Sequence, residues 1–360
     1  MWLLSLLMII KKILSCAASI ISLFIIQIII LTNSNSEESN SKYFSKDSGT
    51  LSLMYHRFNE NKYPSTNIQM NIFKKQMQII EELNYKFYDP RFFVNEFDKV
   101  KSDKKILITI DDAFTSFYTE AWPYLKQNKI PFILFVSTKP VGKKGYMNWN
   151  EIREIDDSEF GHVGHHSHTH EYLIDMSNKE FEEDIETASK IFKDKLGYVP
   201  EIFSYPFGEY SLYMKKYISK NFKLAFGQHS GIIDLNKDRY ELPRFPINEK
   251  YGELNRFESI INYMPLEYKK LNPEEKKIYD SNNPPKLSIE FFNEQKNIDK
   301  ITCYSNDGGN WKKPNLTIEN NILKINFENK FLPRRGRINC SLQDNGKWRW
   351  FGTQFTLGKN

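Results

Sequence analysis

An α/β body of parallel strands with a small β-sandwich behind it is the architecture this 360-residue sequence predicts, and three observations carry that prediction. Over residues 51–263 short apolar runs alternate with stretches whose apolar residues recur at helical spacing, the pattern of strands joined by helices. Beyond residue 286 the helical spacing stops, and brief β-rich runs separated by Asn, Asp and Gly turns replace it. The composition, 40% hydrophobic and 26% charged, is that of a folded body with core enough for two domains. The 16 Gly and 15 Pro follow no fixed repeat and aromatics reach 15%, which excludes collagen-like, solenoid and disordered classes. With a net charge of +5 and no basic run interleaved with a recognisable motif, no nucleic-acid partner is expected.

Near the start of the chain Lys11 and Lys12 precede residues 13–31, which carry no charge. At about 1.5 Å per residue that run is long enough for a bilayer core of about 30 Å. The lysines before it and Glu37 and Glu38 after it predict a cytoplasmic amino end and an exported body. Residues 1–32 are therefore expected to be a signal-anchor or a signal peptide, with membrane attachment in the first case and secretion in the second. Residues 33–49, rich in Ser, Asn, Glu and Lys, read as a polar stem.

The α/β body is expected over residues 50–266. Its strands are 51–55, 106–110, 132–136 and 202–205, and its helices include one through Phe73, Met77, Ile80 and Leu83. A capping box, Ser177-Asn178-Lys179-Glu180, opens another helix that should run to Leu196, where Gly197 and Pro200 stop it. Residues 267–285, polar and proline-bearing, read as a linker, and residues 286–360 as a basic β-sandwich with 13 basic and 7 acidic side chains. Trp311, Trp348, Trp350 and Phe351 in it suit either a sugar-binding or anion-binding face or an ordinary aromatic core. Of three cysteines, Cys16 lies in the apolar run. Cys303 and Cys340 are left either as free thiols or, in an exported protein, as a disulfide closing about 38 residues and contributing about 3–4 kcal/mol.

Five of the seven histidines fall in the run Gly161-His-Val-Gly-His-His-Ser-His-Thr-His170. His166 and His170, four residues apart, suit a shared metal ion in a curled loop, and a carboxylate from elsewhere would complete an open site. Asp111 and Asp112, directly after an apolar strand, are the candidates. Their side chains diverge, so Asp112 can bind metal while Asp111 remains free as a base. A helix N-cap is the alternative use of such a pair.

Thr109-Ile-Asp-Asp-Ala113, His166-Ser-His-Thr-His170 and Ser204-Tyr-Pro-Phe-Gly208, in this order and at these separations, resemble the first three motifs of the polysaccharide deacetylase family, carbohydrate esterase family 4. Leu53-Met-Tyr-His-Arg57 and Leu242-Pro-Arg-Phe-Pro246 resemble the branch that deacetylates poly-N-acetylglucosamine. The resemblance implies a distorted (β/α) barrel of about seven strands and a divalent metal, commonly zinc, held by Asp112, His166 and His170. It implies hydrolysis of acetamide groups on an N-acetylated glycan of the envelope or matrix, with Asp111 as general base and the backbone N–H of Phe207 on the oxyanion. His56 is the expected general acid, with His229 as its rival. The sequence has Ser204 where many members carry arginine and Ala113 where they carry glycine. Arg244 is expected to replace that arginine in orienting Asp111, and Ala113 asks for ordinary non-glycine backbone. Tyr205 and Trp149 suit either a sugar subsite or core packing, and His162, His165 and His168 are expected near the ligands or exposed. Two rival readings remain, a glycan-binding barrel without catalysis and a deacetylase or deformylase of a lipid-linked sugar.

Overall fold

The computed structural model describes residues 48–97, 104–234 and 236–358. The predicted segment 13–31 and most of the stem lie outside these, and among the described residues no helix is long and apolar enough to cross a membrane.

Six parallel strands stand side by side in chain order: β1 (Gly49–Tyr55), β2 (Lys104–Asp111), β3 (Phe132–Val136), β4 (Gly161–His165), β5 (Ile202–Ser204) and β6 (Leu224–Phe226). β1 and β3 are buried at every residue, as befits strands covered on both faces, so their sequences show no alternation. The sheet curls until its ends meet through residues 242–246. Leu242 donates to the Ala225 carbonyl and accepts from Gly227, while Phe245 and Pro246 pair in parallel with Leu53 and Met54. This segment is a seventh parallel member, and Arg244 sits in its middle. Phe73, Met77 and Ile80 bury one face of the helix Met70–Glu82 as their spacing predicts. The helix Asn178–Leu196 begins with the predicted capping box at Ser177 and ends at Gly197 in the left-handed conformation.

The C-terminal part is a sandwich of two sheets around a core that includes Ile289, Leu323, Ile338 and Phe355. One sheet contains β7 (Leu287–Glu290), β9 (Asn315–Glu319) and β10 (Ile322–Asn326). The other contains β8 (Thr302–Ser305), β11 (Arg335–Asp344) and β12 (Lys347–Leu357). Cys303 and Cys340 face each other across β8 and β11 and are disulfide bonded.

Residues 267–285 are not a linker. Lys270–Asn272 pairs with β7 and Lys277–Ile278 with β12, and Met264–Pro265 joins β12 as well. Strands of two or three residues flanked by Pro and charged side chains carry too few apolar positions to register as a period. Barrel and sandwich form one compact unit. Trp350 stacks on Tyr263 with ring centroids 5.0 Å apart, and its indole N–H donates to Ser230 Oγ at 2.9 Å. Arg334 holds Glu209 and Asp175 of the barrel, and Gln354 donates to the carbonyls of Phe207 and Gly208.

Candidate active site

β2 ends on Asp111, so both aspartates emerge at the carboxyl end of a barrel strand, the end where such folds collect their chemistry. The Asp112 N–H donates to the Phe135 carbonyl at 3.0 Å, continuing the ladder one residue past the strand. Asp112 and Ala113 then take φ of 76° and 53°, and this reversal separates the two carboxylates. Ala113 does not have the ordinary non-glycine backbone expected of it; it occupies the left-handed region that a glycine would enter without strain.

The histidine run follows β4 and is fixed from both sides. The His166 N–H donates to the Val136 carbonyl at 3.0 Å. Asp184, on the buried face of the helix Asn178–Leu196, accepts from the N–H groups of His168 and Thr169 at 2.7 and 3.0 Å, and also from the Thr169 hydroxyl. Asp184 went unread in the sequence, and its signal was an acid between Phe181 and Ile185 on an apolar helix face. The His166 Nδ1 lies 2.7 Å from the Ser204 carbonyl. A carbonyl only accepts, so Nδ1 carries the proton and Nε2 presents its lone pair.

Asp112, His166 and His170 each offer one ligand atom, all within 4.8 Å of one another. Asp112 Oδ1 stands 3.0 Å from His170 Nε2 and 3.5 Å from His166 Nε2. Asp112 Oδ1 and His166 Nε2 are buried with no hydrogen-bond partner. Orphaned buried polar atoms are costly, and a divalent cation at their convergence would satisfy them. Burial opposes the Asp112 charge, but His170 and His166 outweigh it and hold the carboxyl well below its ordinary range. Burial likewise opposes the His170 charge, and Asp112 with Asp111 reverses this and raises the imidazole.

Asp111 is fully buried and gripped by Arg244 through two parallel bonds, Nη1 to Oδ1 at 2.6 Å and Nη2 to Oδ2 at 2.9 Å. The same Nη2 donates to Ser204 Oγ at 2.8 Å, and Nε donates to the Gly227 carbonyl at 2.9 Å. Serine at position 204 thus leaves room for, and bonds to, an arginine arriving from the seventh strand. Burial works against the Asp111 charge, yet Arg244, His166 and His56 keep it ionised below the usual carboxylate value. His56 Nε2 lies 3.9 Å from Asp111 Oδ2, and burial holds that imidazole below its ordinary value despite both aspartates. His229 lines the same cleft, with burial bringing it down to about 4.

Phe207 has φ of 59°, and its ring packs between His170 and Tyr172 at 4.8 and 4.4 Å. Gly208 follows at φ 68°, where a Cβ would stand 2.4 Å from the Gln228 nitrogen, so only glycine closes this turn. Gln354 of the sandwich caps the turn from outside. Tyr205 and Trp149 belong to packing: Tyr205 is fully buried against Phe203 and Tyr210, and Trp149 packs on Phe192. His165 is in the core between Phe192, Phe203 and Phe222, where burial and His166 bring it down to about 3. His162 and His168 stay partly buried, His168 against Thr138 Oγ1 at 2.7 Å. Of the four sandwich aromatics, Trp311 and Trp350 line the cleft, Trp348 is exposed and Phe351 is buried in the sandwich core. The cleft, about 590 Å³, runs from His56, Asp112 and His170 of the barrel to β11 and β12 of the sandwich.

Residues 98–224 match the family model described as polysaccharide deacetylase. The poly-beta-1,6-N-acetyl-D-glucosamine N-deacetylase of Staphylococcus epidermidis is 24% identical over 258 residues, covering 64% of this chain and 88% of that protein. The protein of the same name in Staphylococcus aureus is 22% identical over 242 residues, covering 59% and 83%. Among solved structures, IcaB from Ammonifex degensii superposes with a TM-score of 0.54 at 22% identity, using 97% of that chain and 60% of this one. The Streptococcus pyogenes deacetylase PplD gives 0.53 at 19% identity, covering 98% and 58%.

Proposed function

We propose a metal-dependent N-deacetylase of an N-acetylated, poly-N-acetylglucosamine-like polysaccharide; the match of residues 98–224 to the polysaccharide deacetylase model and the deacetylase relatives support a hydrolase of carbon–nitrogen bonds. The convergence of Asp112 Oδ1 and His166 Nε2, buried and without partners, beside an Asp111 locked by Arg244 is the observation that carries this reading. Asp112, His166 and His170 would hold the ion, zinc by the family's common usage, and a divalent cation there supplies Lewis-acid polarisation of the acetamide carbonyl.

Asp111, kept ionised and oriented by Arg244, takes the proton of the attacking water. His56, its Nε2 3.9 Å from Asp111 Oδ2, is the group we assign to passing that proton on to the leaving amine. The N–H of Phe207, in a turn that Gly208 and Gln354 keep closed, is the donor assigned to the developing oxyanion. Residues 13–31, read as a tether, would keep the barrel on the outer side of the membrane near such a polymer.

The test is acetate release from N-acetylglucosamine oligomers by metal-loaded protein, after chelation and after zinc is restored. Release that stops with chelator and returns with zinc supports the reading. One bound metal without release points to a lipid-linked or formylated substrate; neither metal nor release leaves a glycan-binding barrel.

A further inference from the structure

The sandwich closes one side of the cleft, and the charges it brings there are not all balanced. Four arginines gather at this junction: Arg334, Arg335 and Arg337 from the start of β11 and its approach, and Arg256 from the barrel helix Leu254–Ile261. Two are neutralised. Arg334 bonds Glu209 and Asp175, and Arg335 donates to Glu209 Oε1 at 2.7 Å.

The other two have no carboxylate partner among the described residues. Arg337 donates through Nε to the neutral Gln354 Oε1 at 3.1 Å, and Arg256 donates to the Tyr251 carbonyl and lies 5.1 Å from the Tyr251 ring centroid. Both are partly buried and both line the cleft that holds Asp112 and His170. Burial pulls both guanidinium groups below their ordinary value, and Arg335 adds repulsion at Arg337. Glu209 acts on Arg337 only from a distance, being already held by Arg334 and Arg335. A partly desolvated cation without a counter-charge is costly to keep. Two of them, from separate domains and facing one cleft, are compensated when a ligand supplies the anion.

We propose that Arg256 and Arg337 form a subsite for an anionic group, a carboxylate or a phosphate ester, carried by the glycan on or beside the N-acetylated sugar. The subsite lies between barrel and sandwich, so the sandwich takes part in substrate choice. This rests on the deacetylase reading for the identity of the ligand as a glycan, and the binding measurement below does not depend on turnover.

Calorimetry on the full chain would compare three probes of equal length: a neutral N-acetylglucosamine oligomer, one alternating with glucuronate, and one bearing 6-phosphate. The subsite predicts that at least one acidic oligomer binds about tenfold or more tightly than the neutral one, the usual scale of a bidentate charge-assisted contact. Whichever acidic oligomer binds more tightly identifies the anion. In Arg256→Gln/Arg337→Gln protein, verified as folded by its melting curve, the acidic-to-neutral affinity ratio should fall to near one; if that protein does not fold, each single variant should at least halve the ratio. Equal affinity for all three in the unaltered protein, or a preference that survives both substitutions, overturns the subsite. A preference that depends on both arginines without acetate release from any probe leaves the subsite standing and overturns the deacetylase reading alone.

Discussion

At the mouth of the barrel Asp112, Ala113, Ser167, His170 and Phe207 all hold positive φ, whereas in the sandwich the described residues in that conformation are turn asparagines and glycines: Asn297, Gly308, Gly309, Asn320, Asn321, Asn345 and Gly346. Asparagine and glycine accept the left-handed region readily; alanine, histidine and phenylalanine do so at about 1–3 kcal/mol each. The two regions differ in polar pairing too. Asp307 of the sandwich finds Ser305, Lys312 and the Asn329 N–H, and Asp344 finds Arg349. At the mouth, the buried atoms Asp112 Oδ1 and His166 Nε2 have no hydrogen-bond partner, although His170 Nε2 approaches Asp112 to 3.0 Å. Strain and orphaned polarity thus coincide with the proposed site at the barrel mouth, and the sandwich, largely free of both, holds the Phe207 turn and closes the cleft.

The sharpest way to break this contrast is at the ligands. His166→Ala should abolish stoichiometric metal binding and lower acetate release by on the order of 10³-fold or more, as removal of a catalytic metal does. Metal analysis beside the assay checks it, and retention of both would remove the mouth from the chemistry. Next comes the proton route: His56→Ala should reduce kcat by about 10²-fold with metal content unchanged, the usual scale of general acid–base help. The same loss in His229→Ala instead would exchange the two roles.

Within the sandwich the effects should be on stability. Replacing Cys303 and Cys340 by serine should cost about 2–4 kcal/mol by the loop-closure estimate, read by denaturant unfolding, while the protein at low denaturant keeps its metal. A loss of metal in that variant would show that sandwich and mouth are not separable. Asp307 gives the smallest effect and a signed pH dependence. Burial opposes its charge, but Ser305, Asn329 and Lys312 leave its folded value below the ordinary one. Its unfolded carboxyl binds a proton first, so the stabilisation is present above about pH 4 and is lost as pH falls through the folded value. Asp307→Asn should therefore lower the melting temperature at pH 7 by the equivalent of about 1 kcal/mol, with the gap to the unaltered protein closing toward pH 3. A gap independent of pH would assign the effect to packing.

The barrel was legible because its signals are local. Apolar runs, the capping box at Ser177 and the motifs around Asp111, His166 and Phe207 each occupy a few consecutive residues. Arg244 was legible only through the resemblance, since nothing near it in the chain announces a partner 133 residues away. What escaped was non-local or too short to show a period. Asp184 clamps the histidine loop from a helix, and residues 267–285 become strands only because β7 and β12 wait to receive them. Ala113 escaped for another reason, because its backbone is set by the need to turn Asp112 away from Asp111 and not by its own preference. The aromatics divided according to tertiary position: Tyr205 and Trp149 went to the core, Trp311 and Trp350 to the cleft.

The division of labour between adjacent aspartates is the central claim, and Asp111→Asn measures it directly. Metal content and acetate release, taken on one preparation, should show one bound equivalent together with a loss of turnover on the order of 10²-fold or more, since the variant keeps the ligands and removes the base. Most of the original rate with metal bound would contradict the assignment of Asp111 as the group that takes the proton.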